Sequence, residues 1–111
     1  MVNYEESILP LGDDCYLDVE REILYKDALP CSLSRLQFRL LYRLGMDLER
    51  IVPSEELIAF AWMNSLIERH ELHVFINRIR RKLEDNPSCP KCLLSVRGAG
   101  YVLFPRKKVL T

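Results

Sequence analysis

Long apolar runs are missing from this 111-residue sequence, in which no hydrophobic stretch approaches the roughly 20 residues of a transmembrane helix. The first residues, Met-Val-Asn-Tyr-Glu-Glu, are acidic and lack the apolar segment of a secretory signal. We therefore expect a soluble, cytoplasmic protein without a membrane partner.

An excess of charge of either sign is also missing, because 16 acidic side chains balance 16 basic ones. This balance argues against a uniformly basic nucleic-acid-binding protein. The charges are nevertheless divided unevenly along the chain. Residues 1–67 carry 12 acidic and 6 basic side chains, a net charge of −6, whereas residues 68–111 carry 4 acidic and 10 basic ones, a net charge of +6. This asymmetry suggests that one face meets a polyanion while another meets a different partner.

Repeats, low-complexity tracts and linker-like stretches are absent too, and the length suits one compact domain. We place that domain at residues 8–104, between an N-terminal extension at residues 1–7 and a C-terminal tail at residues 105–111. A hydrophobic fraction of 49% is enough to form a core.

A complete metal-binding pattern is missing, although the sequence has four cysteines. Cys89 and Cys92, in "CPKC", resemble half of a zinc site, but the second Cys-x-x-Cys is missing. Cys15 and Cys31 could complete the site only if the fold gathered them, and the sequence lacks a thioredoxin-like context for a redox pair. We predict no metal, no cofactor and no essential role for the "CPKC" cysteines.

Catalytic patterns are likewise missing. In "HELH", the second histidine, His73, comes one position too early for a His-Glu-x-x-His zinc motif that would start at His70, and a third ligand is absent. The sequence also shows no nucleophile with a partner base and no pair of carboxylates that would indicate an active site. We therefore predict no catalytic residue and no enzymatic activity.

Glycine is rare as well, but two of the four glycines stand together in "SVRGAGY", residues 95–101. A phosphate-binding glycine loop needs a helix directly behind it, whereas the residues after Gly100 are β-prone. We therefore predict the tip of a β-hairpin, in which the glycines adopt positive φ angles. Its arms are Leu93–Val96 and Tyr101–Phe104.

The first third of the chain predicts short antiparallel strands, followed by a helix. The strands are Ile8–Leu11, Cys15–Val19, Ile23–Tyr25 and Cys31–Leu33. The first helix begins at Ser34, which forms a capping box with Gln37, and it ends at Gly45. After it, residues 50–53 form a short connection to a second helix.

A third helix, His70–Asp85, follows an irregular stretch at residues 63–69. Its apolar stripe recurs at helical spacing and consists of Leu72, Ile76, Ile79 and Leu83. Its other side is polar and mostly basic. The strand block, the three helices and the hairpin together predict an α+β fold, a winged helix-turn-helix.

Four segments in this order resemble the OmpR/PhoB-type DNA-binding domain of bacterial response regulators. They are LSRLQFRLL, SEELIAFAW, VFINRIRRKL and SVRGAGYVL, and the resemblance spans roughly residues 8–104. The last segment matches the Val-Arg-Gly-x-Gly-Tyr signature of that family, and the third resembles its recognition helix. The resemblance implies sequence-specific binding of double-stranded DNA in transcriptional regulation, as the effector part of a two-component phosphorelay.

On this resemblance, residues 70–84 form the recognition helix in the major groove. The candidate DNA contacts on it are His70, Glu71, Val74, Asn77, Arg78, Arg80 and Arg81. Arginine can read guanine and an apolar group can touch the thymine methyl, so Arg78 and Val74 suit base contacts. Asn77, Arg80 and Arg81 suit phosphates or a base edge.

The wing adds Arg97, on the minor groove or a phosphate, and Tyr101, whose hydroxyl is a candidate phosphate contact. The indole of Trp62 is a further candidate for the DNA backbone. Other phosphate contacts are expected from Lys82 and from the tail cations Arg106, Lys107 and Lys108. Together these contacts predict a slope of log K against log salt of roughly −3 to −5 for one subunit.

The sequence departs from the family at several positions. Gln37 stands where a glutamate is usual, and Pro53 takes the usual serine N-cap position of the second helix, which predicts a cap at Ser54. His70 and Asn77 replace frequent arginines, which predicts weak binding by one copy. No receiver domain accompanies the domain on this chain.

The family implies a weak or DNA-induced dimer on tandem half-sites, and residues 63–69 are a candidate contact for RNA polymerase. The alternative is a winged helix that binds another protein without base readout, which the neutral net charge favours. The basic side of the third helix is then a solvated surface.

Overall fold

The computed structural model describes residues 7–64 and 66–108. The N-terminal extension predicted at residues 1–7 therefore lies, apart from Ser7, outside the described residues, as do the last three residues of the predicted tail. The described part folds as strands β1 to β4, helix α1, strand β5, helices α2 and α3, and strands β6 and β7. Three helices, a strand block and a C-terminal hairpin are the predicted α+β architecture.

The first sheet is antiparallel, in the order β1-β2-β3-β4. Its strands are β1 (Ile8–Pro10), β2 (Cys15–Asp18), β3 (Ile23–Lys26) and β4 (Leu29–Ser32). Asp27 and Ala28 join β3 to β4 with φ angles of 53° and 65°, the double positive φ of a two-residue hairpin turn. The fourth strand therefore begins earlier than the predicted Cys31–Leu33.

Helix α1 (Arg35–Met46) begins with the predicted capping box, in which Ser34 Oγ accepts from the Gln37 backbone N–H and Gln37 Oε1 accepts from the Ser34 N–H. The prediction that Gly45 ends this helix is wrong. Gly45 lies inside the last turn, where a Cβ atom would come within 2.8 Å of the side chains of Leu9 and Leu11. The glycine lets the first strand pack directly on the helix.

The predicted connection at residues 50–53 is in fact mostly a strand, β5 (Ile51–Pro53), which pairs with β7 (Gly100–Leu103). The second sheet therefore has three strands in the order β5-β7-β6, with β6 at Leu93–Val96. The wing is thus anchored to the segment that leads into α2.

Helix α2 (Ser54–Trp62) does not have the predicted cap. Ser54 is already its first helical residue, Pro53 takes the N-cap position, and no side chain caps the helix. The Ser54 backbone N–H instead lies 3.4 Å from the Ala99 carbonyl oxygen in the wing turn. Helix α3 (Arg69–Leu83) begins one residue earlier and ends two residues earlier than predicted.

The hydrophobic core lies where the three helices meet both sheets. Its fully buried large side chains include the whole predicted stripe of α3, namely Leu72, Ile76, Ile79 and Leu83, together with Leu17, Leu24, Leu40, Leu41, Leu44, Leu57 and Leu93. Burial of this stripe leaves the opposite side of α3 facing outward. Within the described residues, no helix has both the length and the apolar character needed to cross a membrane.

Candidate nucleic-acid interface

The outward side of α3 carries the predicted recognition residues. At about 100° per residue, His70, Glu71, Val74, Asn77, Arg78 and Arg81 fall within an arc of about 120°, opposite the buried stripe. The side chains of His70, Glu71, Arg78 and Arg81 are exposed, and those of Val74 and Asn77 are partly buried. Six of the seven predicted recognition-helix residues therefore share one face.

Arg78 is held against an aromatic pair at one edge of this face. Its guanidinium carbon lies 5.1 Å from the centroid of the Phe75 ring, a cation–π contact. Phe75 in turn meets Trp62 edge to face, with centroids 5.3 Å apart. Trp62, a candidate phosphate contact, is partly buried and packs against the helix through this ring.

Arg80, the seventh predicted residue, points elsewhere. Only 8% of its surface is exposed, and all three of its nitrogens donate within the protein. Nε donates to the Leu93 carbonyl oxygen at 2.9 Å, Nη1 to Asn77 Oδ1 at 2.9 Å, and Nη2 to Ser95 Oγ at 2.9 Å. We therefore remove Arg80 from the set of DNA contacts, since its side chain is buried and its hydrogen bonds are directed into the protein. Burial lowers the pKa of this guanidinium.

Asn77 continues this hydrogen-bonded chain along the helix edge. Its Nδ2 lies 3.2 Å from His73 Nε2, and His73 Nδ1 lies 3.4 Å from the Tyr101 hydroxyl oxygen. Tyr101 is 8% exposed, and burial raises the pKa of its phenol. The hydroxyl predicted to meet a phosphate therefore faces helix α3 within the protein.

The wing tip presents the remaining predicted contact, Arg97. Arg97, Gly98 and Ala99 are all exposed. Gly98 has a φ of 76°, the positive value predicted for a glycine at the hairpin tip. A hydrogen bond from the Ala99 N–H to the Val96 carbonyl oxygen, 3.0 Å long, closes the turn. Arg97 stands two residues beyond Ser95, which is bound to α3 through Arg80.

Gly100 has no positive φ angle, so the prediction for this second glycine is wrong. It is the first residue of β7 and pairs with Pro53. A Cβ atom here would lie 2.1 Å from the Val52 carbonyl oxygen and 2.9 Å from the Pro53 Cα. The glycine allows β5 to approach β7 closely.

Most other basic side chains predicted to meet phosphates are occupied within the protein. Lys82 Nζ donates to the Ser32 carbonyl oxygen at 2.6 Å and to Gln37 Oε1 at 2.8 Å. Arg106 is buried and forms ion pairs with Asp27 and Asp85. Arg106 is therefore buried away from a DNA backbone, whereas Lys82 is engaged within the protein but keeps part of its surface exposed.

Lys108 is also bound to the turns that flank the first sheet, through ion pairs with Asp14 at 3.0 Å and Asp27 at 3.3 Å. The tail therefore packs on the strand block as far as the described residues reach. Arg69, the first residue of α3, is exposed but paired with Glu55.

The cysteines of the "CPKC" segment lie in different surroundings. Cys89 is exposed and Cys92 is buried, and burial raises the pKa of the Cys92 thiol to about 12. Among residues 7–64 and 66–108, no group of three or more His, Cys, Asp or Glu side chains is arranged to hold a metal ion.

Two residues that form hydrogen bonds between α3 and the wing, Ser95 and His73, were not predicted from the sequence. Ser95 lies in an ordinary β-prone run, so only the folded hairpin shows that its hydroxyl meets α3. His73 stands one helical turn before Asn77, a spacing that allows side chains to pair.

Known proteins resemble this chain in sequence. Residues 29–103 match the family model described as "Transcriptional regulatory protein, C terminal". The transcriptional regulatory protein KdpE of Mycobacterium tuberculosis is 33% identical over 90 residues, which cover 80% of this chain and 40% of KdpE. This chain therefore spans about two fifths of the length of that relative.

Solved structures share the fold. The DNA-binding domain of CpxR from Escherichia coli superimposes with a TM-score of 0.74 at 28% identity, covering 84% of this chain and 92% of that one. The RstA DNA-binding domain of Klebsiella pneumoniae, solved in complex with the RstA box, gives a TM-score of 0.78 at 24% identity over 89% of this chain and 98% of that one. With a family match over most of its length and the winged helix-turn-helix fold, the chain belongs to the family of OmpR/PhoB-type C-terminal DNA-binding domains of transcriptional regulatory proteins.

Proposed function

We propose that this chain binds double-stranded DNA sequence-specifically, with the exposed face of α3 in the major groove and Arg97 on the minor groove or a phosphate. It serves as the effector part of a larger, two-component-type transcriptional regulator. The observation that carries the proposal is the position of the wing beside α3. Arg80 and His73 join the helix edge to Ser95 and Tyr101, so that the exposed arc and the wing tip belong to one surface.

The side chains on this surface suit distinct roles. Arg78 can donate two hydrogen bonds to guanine, and Val74 can touch a thymine methyl. Glu71 can accept from the amino group of cytosine. Arg81, the last of these residues along α3, suits a phosphate. His70 lies at the start of the helix.

Further partners follow from exposed residues outside this surface. Met63 and Leu66, in the loop between α2 and α3, are 75% and 88% exposed, which favours a protein contact there. We propose residues 63–69 as the contact for RNA polymerase; Ser65 in this loop lies outside the described residues. With DNA as its partner, the chain acts in the cytoplasm, and two copies pair on tandem half-sites.

The experiment is an affinity measurement on a DNA sequence selected from a random pool. We expect Arg78→Ala to weaken binding to the selected duplex by about 1–3 kcal/mol, the usual discrimination of one good base contact. The matched control is Arg35→Ala, which removes an exposed arginine on α1 that pairs with Glu22 at 3.5 Å. We expect the control to bind as the wild-type protein does.

A second measurement, on a duplex of random sequence, distinguishes a base contact of Arg78 from a phosphate contact. An equal loss on selected and random DNA would show Arg78 to be a phosphate contact. No loss on either duplex would contradict the assignment of α3 as the recognition helix.

A further inference from the structure

Arg80 is a buried cation whose direct partners are all neutral. Its three hydrogen bonds end on a backbone carbonyl, an amide oxygen and a hydroxyl, and no carboxylate lies within ion-pairing distance of it among the described residues. Removing a charge from water is costly, and these bonds recover that cost only while their geometry is maintained. An apolar side chain of similar length would fill the same space without that cost. The guanidinium therefore contributes directed hydrogen bonds, which an apolar side chain of the same size would not form.

The bonds of Arg80 join two elements that are separate in the chain. Two of them reach Leu93 and Ser95 on strand β6, and the third reaches Asn77 one turn back on α3. Because guanidinium is planar, three donors with fixed directions set the angle of the helix against the strand. A flexible ammonium group could not fix that angle in the same way.

Asn77 extends the connection to the second wing strand. Since its Oδ1 accepts from Arg80, its Nδ2 donates towards His73 Nε2 at 3.2 Å. On the other side of the ring, His73 Nδ1 lies 3.4 Å from the Tyr101 hydroxyl oxygen. Both strands of the hairpin are thus tied to the edge of α3 that adjoins the exposed arc.

We propose that Arg80 is a positioning residue for DNA recognition, which locks α3 to the wing so that the helix and Arg97 engage the duplex as one rigid unit. This inference rests on the proposed function. It assigns Arg80 a different role from its neighbour Arg81, although the two arginines are adjacent on a basic helix. Arg81 is exposed and suits a phosphate, whereas Arg80 acts through the orientation of other residues.

The two roles give different salt dependences. Losing a phosphate contact makes the slope of log K against log salt shallower by about one and weakens all sequences alike. Losing a positioning residue leaves the slope unchanged and lowers the ratio of selected to random affinity. We expect Arg80→Met to lower that ratio about tenfold with an unchanged slope. The matched control, Arg81→Met, should make the slope shallower by about one and leave the ratio nearly unchanged.

Ser95 provides a second variant that preserves the charge and the bulk of Arg80. Ser95→Ala removes one acceptor at an exposed strand position, so the domain should still fold. It should lower the selected-to-random ratio in the same direction as Arg80→Met, but by less. Ser95→Thr keeps the hydroxyl and should restore the wild-type ratio, which a mere loss of side-chain bulk would not explain.

Each possible outcome of these measurements leads to a different conclusion about Arg80. A shallower slope with an unchanged ratio in Arg80→Met means that Arg80 leaves its partners to bind a phosphate, and the proposal is overturned. Unchanged ratios in both Arg80→Met and Ser95→Ala also overturn it. If the wild-type protein selects no DNA sequence at all, the proposed function fails first, and the role of Arg80 in recognition fails with it.

Discussion

Gly98 and Gly100 stand two residues apart in the wing and are needed for different physical reasons. Gly98 sits at the hairpin turn with a φ of 76° and has open space where a side chain would be. Gly100 has an ordinary backbone conformation but meets the Val52 carbonyl oxygen, 2.1 Å from the position of a Cβ atom. In the sequence the two glycines look alike, so only the pairing of β5 with β7 distinguishes them.

This difference predicts unequal costs for the same substitution. Gly98→Ala should lower the free energy of unfolding by about 1–2 kcal/mol, because a Cβ atom is unfavourable at positive φ. Gly100→Ala should lower it by about 3 kcal/mol, because β5 must move away from β7. Urea unfolding of the two variants measures both costs. Equal costs would mean that the close approach of β5 contributes nothing.

For helix α3, the sequence predicts the direction of most side chains but not that of Arg80. Its periodicity correctly predicts which side of α3 is buried, because the apolar stripe depends only on spacing. Arg80 lies at the margin of that stripe, where a helical pattern does not distinguish an outward arginine from one that turns to a neighbouring strand. Its burial depends on Leu93 and Ser95, which meet it only in the folded hairpin.

At the scale of elements, local signals predict local structure well. The capping box at Ser34 fixes the start of α1, and the β-prone arms around the Arg-Gly-Ala-Gly turn predict the hairpin. Strand β5 is missed because it has three residues, includes a proline and pairs with a strand about fifty positions later. Its identity depends on a partner that no local window contains.

The C-terminal segment is also bound as an element rather than free as a tail. The Arg106 backbone N–H donates to the Leu11 carbonyl oxygen at 2.8 Å, and its side chain pairs with Asp27 and Asp85. Hydrogen bonding from Arg106, assisted by Lys108, holds the pKa of Asp27 at about 2, below its ordinary 3.8. The segment around Arg106 therefore belongs to the folded unit.

The lowered pKa of Asp27 predicts an acid-sensitive contribution to stability. A carboxylate with a depressed pKa stabilises the fold above its unfolded pKa, and this contribution is lost as the pH falls towards its folded pKa. Asp27→Asn should therefore be less stable than the wild-type protein at pH 6, and the difference should narrow between about pH 4 and pH 2. Urea midpoints across this range measure it.

Glu20→Gln is the control, since it removes the same charge at an exposed turn position outside the Arg106 network. It should show little difference at any pH. A difference between Asp27→Asn and the wild-type protein that stays constant down to pH 2 would contradict the assignment of the ion pair.

In the whole molecule, the separation of the charges makes a neutral chain compatible with the proposed DNA binding. The acidic first part of the sequence holds the strand block, where Asp14 and Asp27 bind the C-terminal cations Lys108 and Arg106. The cations that remain exposed on the recognition surface are Arg78, Arg81 and Arg97. The structure therefore shifts the expected number of phosphate contacts to the low end of what the sequence suggests.

The measurement that tests this account most directly is a salt titration of binding to selected duplexes with one half-site or with two tandem half-sites. We predict a slope of log K against log salt of roughly −2 to −3 for each subunit, because Arg81 and Arg97 suit phosphates and Arg78 adds a third cation in the groove. We predict much tighter binding on the tandem duplex, with half-sites about one helical turn apart, since a single copy makes few contacts. A slope near zero, or nanomolar binding of one copy to a single half-site, would contradict the account.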